Sequence, residues 1–234
     1  MVEKLSTAHL ADGCLRVGVQ VRCVALAPVT PGMRVAGPAR VVRHYGSVDI
    51  FLETIEAAAP GDVMVVDNAG RRDESCVGDL ITIEAKHAGL AGIVIWGRHR
   101  DTAEIRNLGL PVFSLGAVAA GPVRLDARDD FPFGSGSIAG ITVADSDFVI
   151  ADDDGVLFVP GASLKAIAQA ARGIRETELR QTSKVQTGTS LRSQLRFAEF
   201  LERRRDNPAF TFRDHLASIG GAIEVEVPQS KTQN

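Results

Sequence analysis

Cysteine, aromatic residues and long apolar runs are all scarce in this 234-residue chain, and each scarcity closes a class of explanation. Cys14, Cys23 and Cys76 are an odd number with no CxxC or Cys/His spacing, so neither a disulfide framework nor a zinc site is expected. No run approaches the roughly 18 apolar residues of a spanning helix, and no basic segment followed by an apolar one opens the chain. A reducing, cytoplasmic setting without membrane contact is the expectation. A net charge of -3 gives no general attraction to nucleic acid, so none is expected as a partner. With 45% hydrophobic residues, the length suits one main domain with an appended arm.

In chain order, residues 4–15 predict a short helix capped at Ser6 or Thr7, with His9 and Asp12 on one solvated face. Residues 19–42 turn to β pattern, and the Gly37-Pro38 pair predicts an edge strand or a bulge. Residues 48–59 read as an amphipathic helix stopped by Pro60-Gly61, followed by the strand Val63 to Val66. Asn68 to Glu74 is a polar loop whose charges either meet a substrate or are solvated. Leu110 to Phe113 predicts a further strand, and Gly134 to Ser137 a flexible link. Short strands follow at 138–143, 148–151 and 156–159. The aspartates between Asp147 and Asp154 lack the complete calcium-loop pattern and read as part of a hairpin turn. From Ala162 the chain is helical, with a second helix over 191–205 ending in Arg203-Arg204-Arg205, a docking segment at 210–219 and a frayed tail from Pro228. The expected division is a catalytic domain over 1–160 and a helical extension over 161–234.

The densest signal lies in residues 78–116. Leu80 to Gly89 has helical spacing, and Ile93-Val94-Ile95-Trp96 reads as a buried strand. About ten helical residues travel ~15 Å, and about five extended residues return a similar distance. Asp79 and the pair Arg100-Asp101 therefore meet at one edge, provided Val63 to Asp67 is a neighbouring parallel strand. In an open α/β sheet the carboxyl edge of the strands is where ligands bind.

Each residue there also has a plain structural reading: Asp79 as a helix cap, Asp101 with Glu104 as a capping box, and Arg100 as a surface charge. Together they gather two carboxylates and an arginine beside helix N-termini, where the Leu80 and Ile81 amides would receive a small carboxylate. Asp101 offers a hard oxygen to Mg²⁺ or Mn²⁺, metals that keep water and complete their shells with substrate oxygens. Arg100 would hold charge developing on a keto oxygen.

Asp79, twenty intervening residues and Arg100-Asp101, followed by Ala-Glu-Ile-x3-Gly-x-Pro-Val-Phe, closely resemble the RraA-like family, which includes metal-dependent 4-hydroxy-4-methyl-2-oxoglutarate/4-carboxy-4-hydroxy-2-oxoadipate aldolases. Weaker similarity runs from about Thr7 to Pro160. The resemblance implies an α/β fold of the swivelling β/β/α type, assembled as a homotrimer or homohexamer with the active site between subunits. It implies metal at Asp101, the pyruvyl group at Arg100, ordered water and proton transfer at Asp79, and the substrate carboxylate at the Leu80 and Ile81 amides. It also implies an acidic residue from the adjacent subunit, which the sequence does not identify. The implied activity is cleavage of a 2-oxo acid through a pyruvate enolate, by aldol cleavage, oxaloacetate decarboxylation or both. The alternative within the family is a protein that binds and regulates a ribonuclease or helicase. Methyl transfer to a quinone is discounted, since no glycine-rich cofactor loop follows a first strand. Trp96 and His99 depart from the family pattern, as does the length after Ala162. His99 is thus an accessory acid/base or carboxylate-recognising candidate, or an exposed loop histidine; Glu104 is the other accessory candidate.

Overall fold

The computed structural model describes residues 2 and 4–219, so the tail expected from Pro228 lies outside the described residues. In chain order the elements are α1 (Thr7–Arg16), β1 (Arg22–Val24), β2 (Ala27–Pro28), β3 (Val35–Arg43), α2 (Asp49–Ala57), β4 (Val63–Asp67), β5 (Ser75–Val77) and α3 (Asp79–His87). There follow β6 (Gly92–Trp96), β7 (Arg98–His99), α4 (Thr102–Leu108), β8 (Val112–Ser114), β9 (Ser135–Ile138), β10 (Ile141–Ala144), β11 (Asp147–Asp152) and β12 (Gly155–Pro160). The last helices are α5 (Leu164–Gln186), α6 (Leu191–Gln194), α7 (Phe197–Asp206) and α8 (Phe212–Ile219). They form two compact units, one of residues 21–164 and one of residues 4–20 with 165–219.

The larger unit is a mixed α/β unit built on an eight-stranded sheet ordered β1-β12-β11-β3-β4-β6-β8-β2. Its centre, β3-β4-β6-β8, is parallel, as successive β-α-β crossovers require. Both faces of this centre are buried, which explains why its strands read as unbroken apolar runs. Along β4, Met64 and Val66 face a core containing Phe51, Ile81 and Ile105, whereas Val63 and Val65 face a second core with Phe113, Ile138 and Phe158. All four β4 residues are fully buried, and side chains of this size contribute roughly 1.5–3 kcal/mol each.

Two expectations are corrected here, and a third holds. β3 is an interior strand despite Pro38, because its first half pairs with β11 and its second half, from Ala39, with β4. Pro38 stands where one ladder hands over to the other. The stretch read as a flexible Gly-Ser link is strand β9, paired antiparallel with β10 and tied to the sheet by the Ser137 N–H donating to Asp67 Oδ2 at 2.8 Å. The aspartate-rich stretch does form the β11–β12 hairpin, with Asp152 opposite Gly155. Its acidic groups hold protein donors: Asp147 takes a two-point contact from Arg22 at 2.6 and 3.0 Å, and Asp153 receives the Gly32 N–H at 2.8 Å.

In the smaller unit Ser6 caps α1 through a reciprocal pair with His9, whose other ring nitrogen lies 2.9 Å from Glu178. The helix expected over 191–205 is two helices, broken at Arg196 in the left-handed region with φ 48°. The break frees the Leu195 carbonyl, which accepts from His215 Nε2 at 2.8 Å. Around this bond Phe197, Phe200, Phe210 and Phe212 close an aromatic cluster on His215, so the docking segment packs as α8 within this unit. Among the described residues no helix is long and apolar enough to cross a membrane.

Candidate active site

The parallel register Val63↔Gly92 through Asp67↔Trp96 brings the carboxyl ends of β4 and β6 side by side. Beyond that edge β5 and β7 pair in parallel, which sets Val77 beside His99 and starts α3 next to the Arg100-Asp101 turn. Arg100 N–H donates to the Val77 carbonyl at 3.0 Å, locking the two segments together. The spacing argument thus holds in three dimensions: Asp79, Leu80, Ile81, Arg100 and Asp101 line one cleft of about 360 Å³.

The two carboxylates are joined through the backbone. Asp79 N–H donates to Asp101 Oδ2 at 3.3 Å, and Leu80 N–H donates to Asp79 Oδ1 at 2.7 Å. Gly78, not Asp79, caps α3, and Asp79 is its first helical residue. No capping box forms at α4, since Asp101 is left-handed, with φ 56°, and makes no cap bond to its own helix. Its carboxylate instead reaches across to the neighbouring helix start. Arg100 Nε lies 3.4 Å from Asp101 Oδ2, and its side chain is half exposed. The guanidinium rests against Gly121, where a Cβ would come 2.8 Å from Nη1.

His99 is neither exposed nor at the cleft. It is 4% exposed, with Nδ1 2.7 Å from Ser114 Oγ and Nε2 3.1 Å from Thr102 Oγ1. Burial, aided by Arg106 and Arg98, lowers its pKa and favours the neutral ring that fits between two hydroxyls. Glu104 is exposed on α4 and does not line the cleft. Trp96 lies under the Asn68–Glu74 loop, whose Asn68 and Gly70 N–H groups both donate to its carbonyl at 3.1 Å.

The rest of the cleft lining was not found by motif reasoning. The same lining includes His44, Gly46, Ser47, Cys76 and Pro122. His44, 8% exposed, stacks on Phe51 at 5.0 Å and places Nδ1 3.0 Å from Asn68 Oδ1. Behind it Arg124 donates to Asn68 Oδ1 at 2.9 Å and to Glu74 Oε1 at 3.0 Å. The ends of the polar loop therefore turn inward, with Asn68 and Glu74 buried while Arg72 and Asp73 remain exposed. Burial pushes the Cys76 thiol up to about 12, so it is no nucleophile at neutral pH.

A larger groove of about 710 Å³ includes Arg40, Leu52, Glu53, Phe133 and Asp145. Arg40 there is paired with Asp62 and Asp145, and Glu53 with Arg128, so most of its charge is already engaged.

For a hard divalent cation, no group of three acidic, His or Cys ligands exists among the described residues. The cleft nevertheless fits an ion that binds through one or two carboxylates and keeps its water. Asp101 Oδ1 and Asp79 Oδ2 have no protein partner among the described residues, and both carboxylates line the cleft.

Helix-start amides, an arginine and two available carboxylate oxygens thus gather at a parallel-sheet carboxyl edge, the place where open α/β sheets bind ligands. The family model described as RraA-like, Aldolase/RraA, matches residues 7–158, and the chain belongs to that family. A Burkholderia multivorans protein named "Putative 4-hydroxy-4-methyl-2-oxoglutarate aldolase" is 34% identical over 65% of this chain and 92% of its own length. Protein DlpA of Legionella pneumophila is 29% identical over 80% of this chain, which spans only 31% of DlpA's length. Among solved structures, Streptomyces coelicolor RraAS2, described as an unusual member of the RNase ES inhibitor RraA protein family, aligns with a TM-score of 0.67 and 27% identity. That match covers 78% of this chain and 93% of RraAS2.

Proposed function

We propose that this protein is a Mg²⁺- or Mn²⁺-dependent carbon–carbon lyase that cleaves a 4-hydroxy-2-oxo acid, decarboxylates oxaloacetate, or does both, through a pyruvate enolate. The observation that carries this reading is the convergence of Asp79, Arg100 and Asp101 on one cleft at the start of α3. The name of the Burkholderia relative supports the substrate class.

In this reading the substrate's carboxylate takes hydrogen bonds from the Leu80 and Ile81 amides. Leu80 N–H already serves the Asp79 carboxylate at 2.7 Å, so substrate and Asp79 compete for one donor. Substrate arrival would release that Asp79 oxygen to hold a water or carry a proton. Arg100, stopped by Gly121 on one side and Asp101 on the other, holds the keto oxygen as negative charge gathers there. Asp101, with waters, would hold the cation, whose chemistry is Lewis-acid polarisation of the substrate oxygens. We further propose assembly as a homotrimer or homohexamer with an acidic residue supplied by the neighbouring subunit, a reading supported by the 75% exposed Leu80 at the cleft.

The test is pyruvate release from a panel of 2-oxo acids, with and without chelator. Asp101→Ala should lower metal-dependent release by more than the ~10–100-fold typical of a residue that only orients a ligand. Full activity in that variant would sink the proposal. A second reading, a protein-binding regulator of a ribonuclease or helicase, is favoured by the likeness to RraAS2. Capture of such an enzyme in pull-down, with no metal-dependent turnover of any 2-oxo acid, would decide for it.

A further inference from the structure

Aldol cleavage needs a base for the proton of the substrate's 4-hydroxyl, and the lyase reading commits Asp101 to the cation. We infer that His44 is that base, a catalytic residue lining the same cleft which takes the hydroxyl proton on Nε2 as the C3–C4 bond breaks. The inference rests on the lyase reading above.

The geometry fixes which ring nitrogen is available. A guanidinium can only donate hydrogen bonds. Arg124 Nη2 lies 2.9 Å from Asn68 Oδ1, so this amide must present its oxygen on that side and cannot be turned about. The same oxygen is 3.0 Å from His44 Nδ1, and only a protonated Nδ1 satisfies that contact. The neutral ring therefore carries its proton on Nδ1 and keeps a lone pair on Nε2. Nε2 has no hydrogen-bond partner among the described residues, and His44 lines the cleft. Phe51, stacked at 5.0 Å with an interplanar angle of 12°, sets the plane of the ring. Glu74, buried and 3.0 Å from Arg124 Nε, anchors the far end of the relay.

The environment keeps that lone pair free near neutral pH. Burial lowers the pKa of His44, and Arg124 adds to this, against the opposing pull of the Asn68 hydrogen bond, Glu74 and Asp126. Arg100, Asp79 and Asp101 line the same cleft. Other lining groups are less suited to the task. Cys76 holds its proton up to about pH 12, and Ser75 Oγ donates to the Ala120 carbonyl at 2.9 Å. Asp101 is committed to the cation in the lyase reading, and Asp79, whose Oδ2 has no protein partner among the described residues, is the rival acceptor that the His44 variants separate from it.

The step balances without any outside reagent. The 4-hydroxyl proton passes to His44 Nε2, and the O–H electron pair becomes the second bond of the new carbonyl. The C3–C4 pair moves into the C2–C3 bond, and the keto π pair settles on the oxygen beside Arg100. The proton held by imidazolium then returns to C3, directly or through water, giving pyruvate and the neutral ring. Oxaloacetate decarboxylation forms the same enolate with no hydroxyl proton to remove, so it bypasses the first of these transfers.

That difference supplies the test. His44→Asn keeps an amide N–H near the position of Nδ1, able to hold Asn68, and deletes Nε2; His44→Gln is run beside it as a second replacement. Folding is checked by circular dichroism and thermal melting. Pyruvate release is measured from a 4-hydroxy-2-oxo acid and from oxaloacetate with saturating Mg²⁺. The ratio of aldol cleavage to decarboxylation should fall about a hundredfold in both variants, the scale of a lost acid–base group. In the unsubstituted protein, kcat/KM for cleavage should fall as pH drops through the depressed His44 pKa, and this limb should vanish in both variants. An unchanged ratio, or a parallel loss of both reactions as expected of a merely structural histidine, overturns the inference while leaving the lyase reading intact. Failure of the unsubstituted protein to release pyruvate from either acid overturns both.

Discussion

Gly78 and Asp101 share a space that only one of them can fill: a Cβ built on Gly78 would lie 2.3 Å from Asp101 Oδ2. The backbone at Gly78, with φ -128° and ψ -161°, is one any residue can adopt, so the crowding belongs to the neighbours alone. The same Cβ would lie 3.3 Å from Arg100 Cγ and Nε. The glycine that caps α3 is thus the floor on which two proposed catalytic groups rest.

Gly78→Ala should therefore lower lyase activity at least ~10-fold while costing about 1–3 kcal/mol of stability, the scale of local overpacking. Steady-state kinetics and urea denaturation on the same preparation separate the two effects. Activity equal to that of the unsubstituted protein would show that the Asp101 carboxylate need not occupy its present position.

His99 makes stability depend on pH. Its folded-state pKa is depressed from 6.5, chiefly by burial, so the unfolded chain binds this proton before the folded one does. Its contribution is complete above pH 6.5 and is lost as pH falls from there through the folded pKa. His44 adds to the slope with the same sign. Denaturation midpoints measured between pH 7.5 and 5.5 should fall with pH, and His99→Gln should flatten part of that fall. A slope unaltered by the substitution would mean that His99 does not titrate between the two states.

Cys76 gives a chemical reading of the wall it occupies. A thiol held up to about 12 is almost entirely protonated at pH 8 and reacts slowly. Iodoacetamide at pH 8 should spare Cys76 in the folded protein and label it rapidly in denaturant, with peptide mass mapping to assign the sites. Rapid labelling without denaturant would show a more open wall than the hydrogen bonds around Ser75 and Arg98 imply.

The parallel centre of the sheet was legible because burial on both faces imposes a simple rule: apolar residues at every position from Val63 to Val66 and from Ile93 to Ile95. Helix and strand rise then carried Asp79 to Arg100-Asp101. β9 was hidden because its Gly-Ser composition is that of a linker, and only the pairing with β10 and the bond to Asp67 make it a strand. The break at Arg196 was hidden for a different reason: the apolar stripe continues through it, and the partner that rewards the break, His215, lies twenty residues away. His44 had no local signal at all. Its role depends on Asn68, Glu74 and Arg124, which the chain brings together from as far as eighty residues off, and no spacing rule reaches that far.

The left-handed backbone at Asp101 has an evolutionary side. Residues with a Cβ hold φ near 56° at a cost of roughly 1 kcal/mol that glycine escapes. Selection for foldedness alone would drift this position toward glycine and close it to chemistry. On the proposed lyase reading, the aspartate keeps the cleft equipped at a cost in backbone strain, and a lineage released from that reaction could trade it for glycine at residue 101.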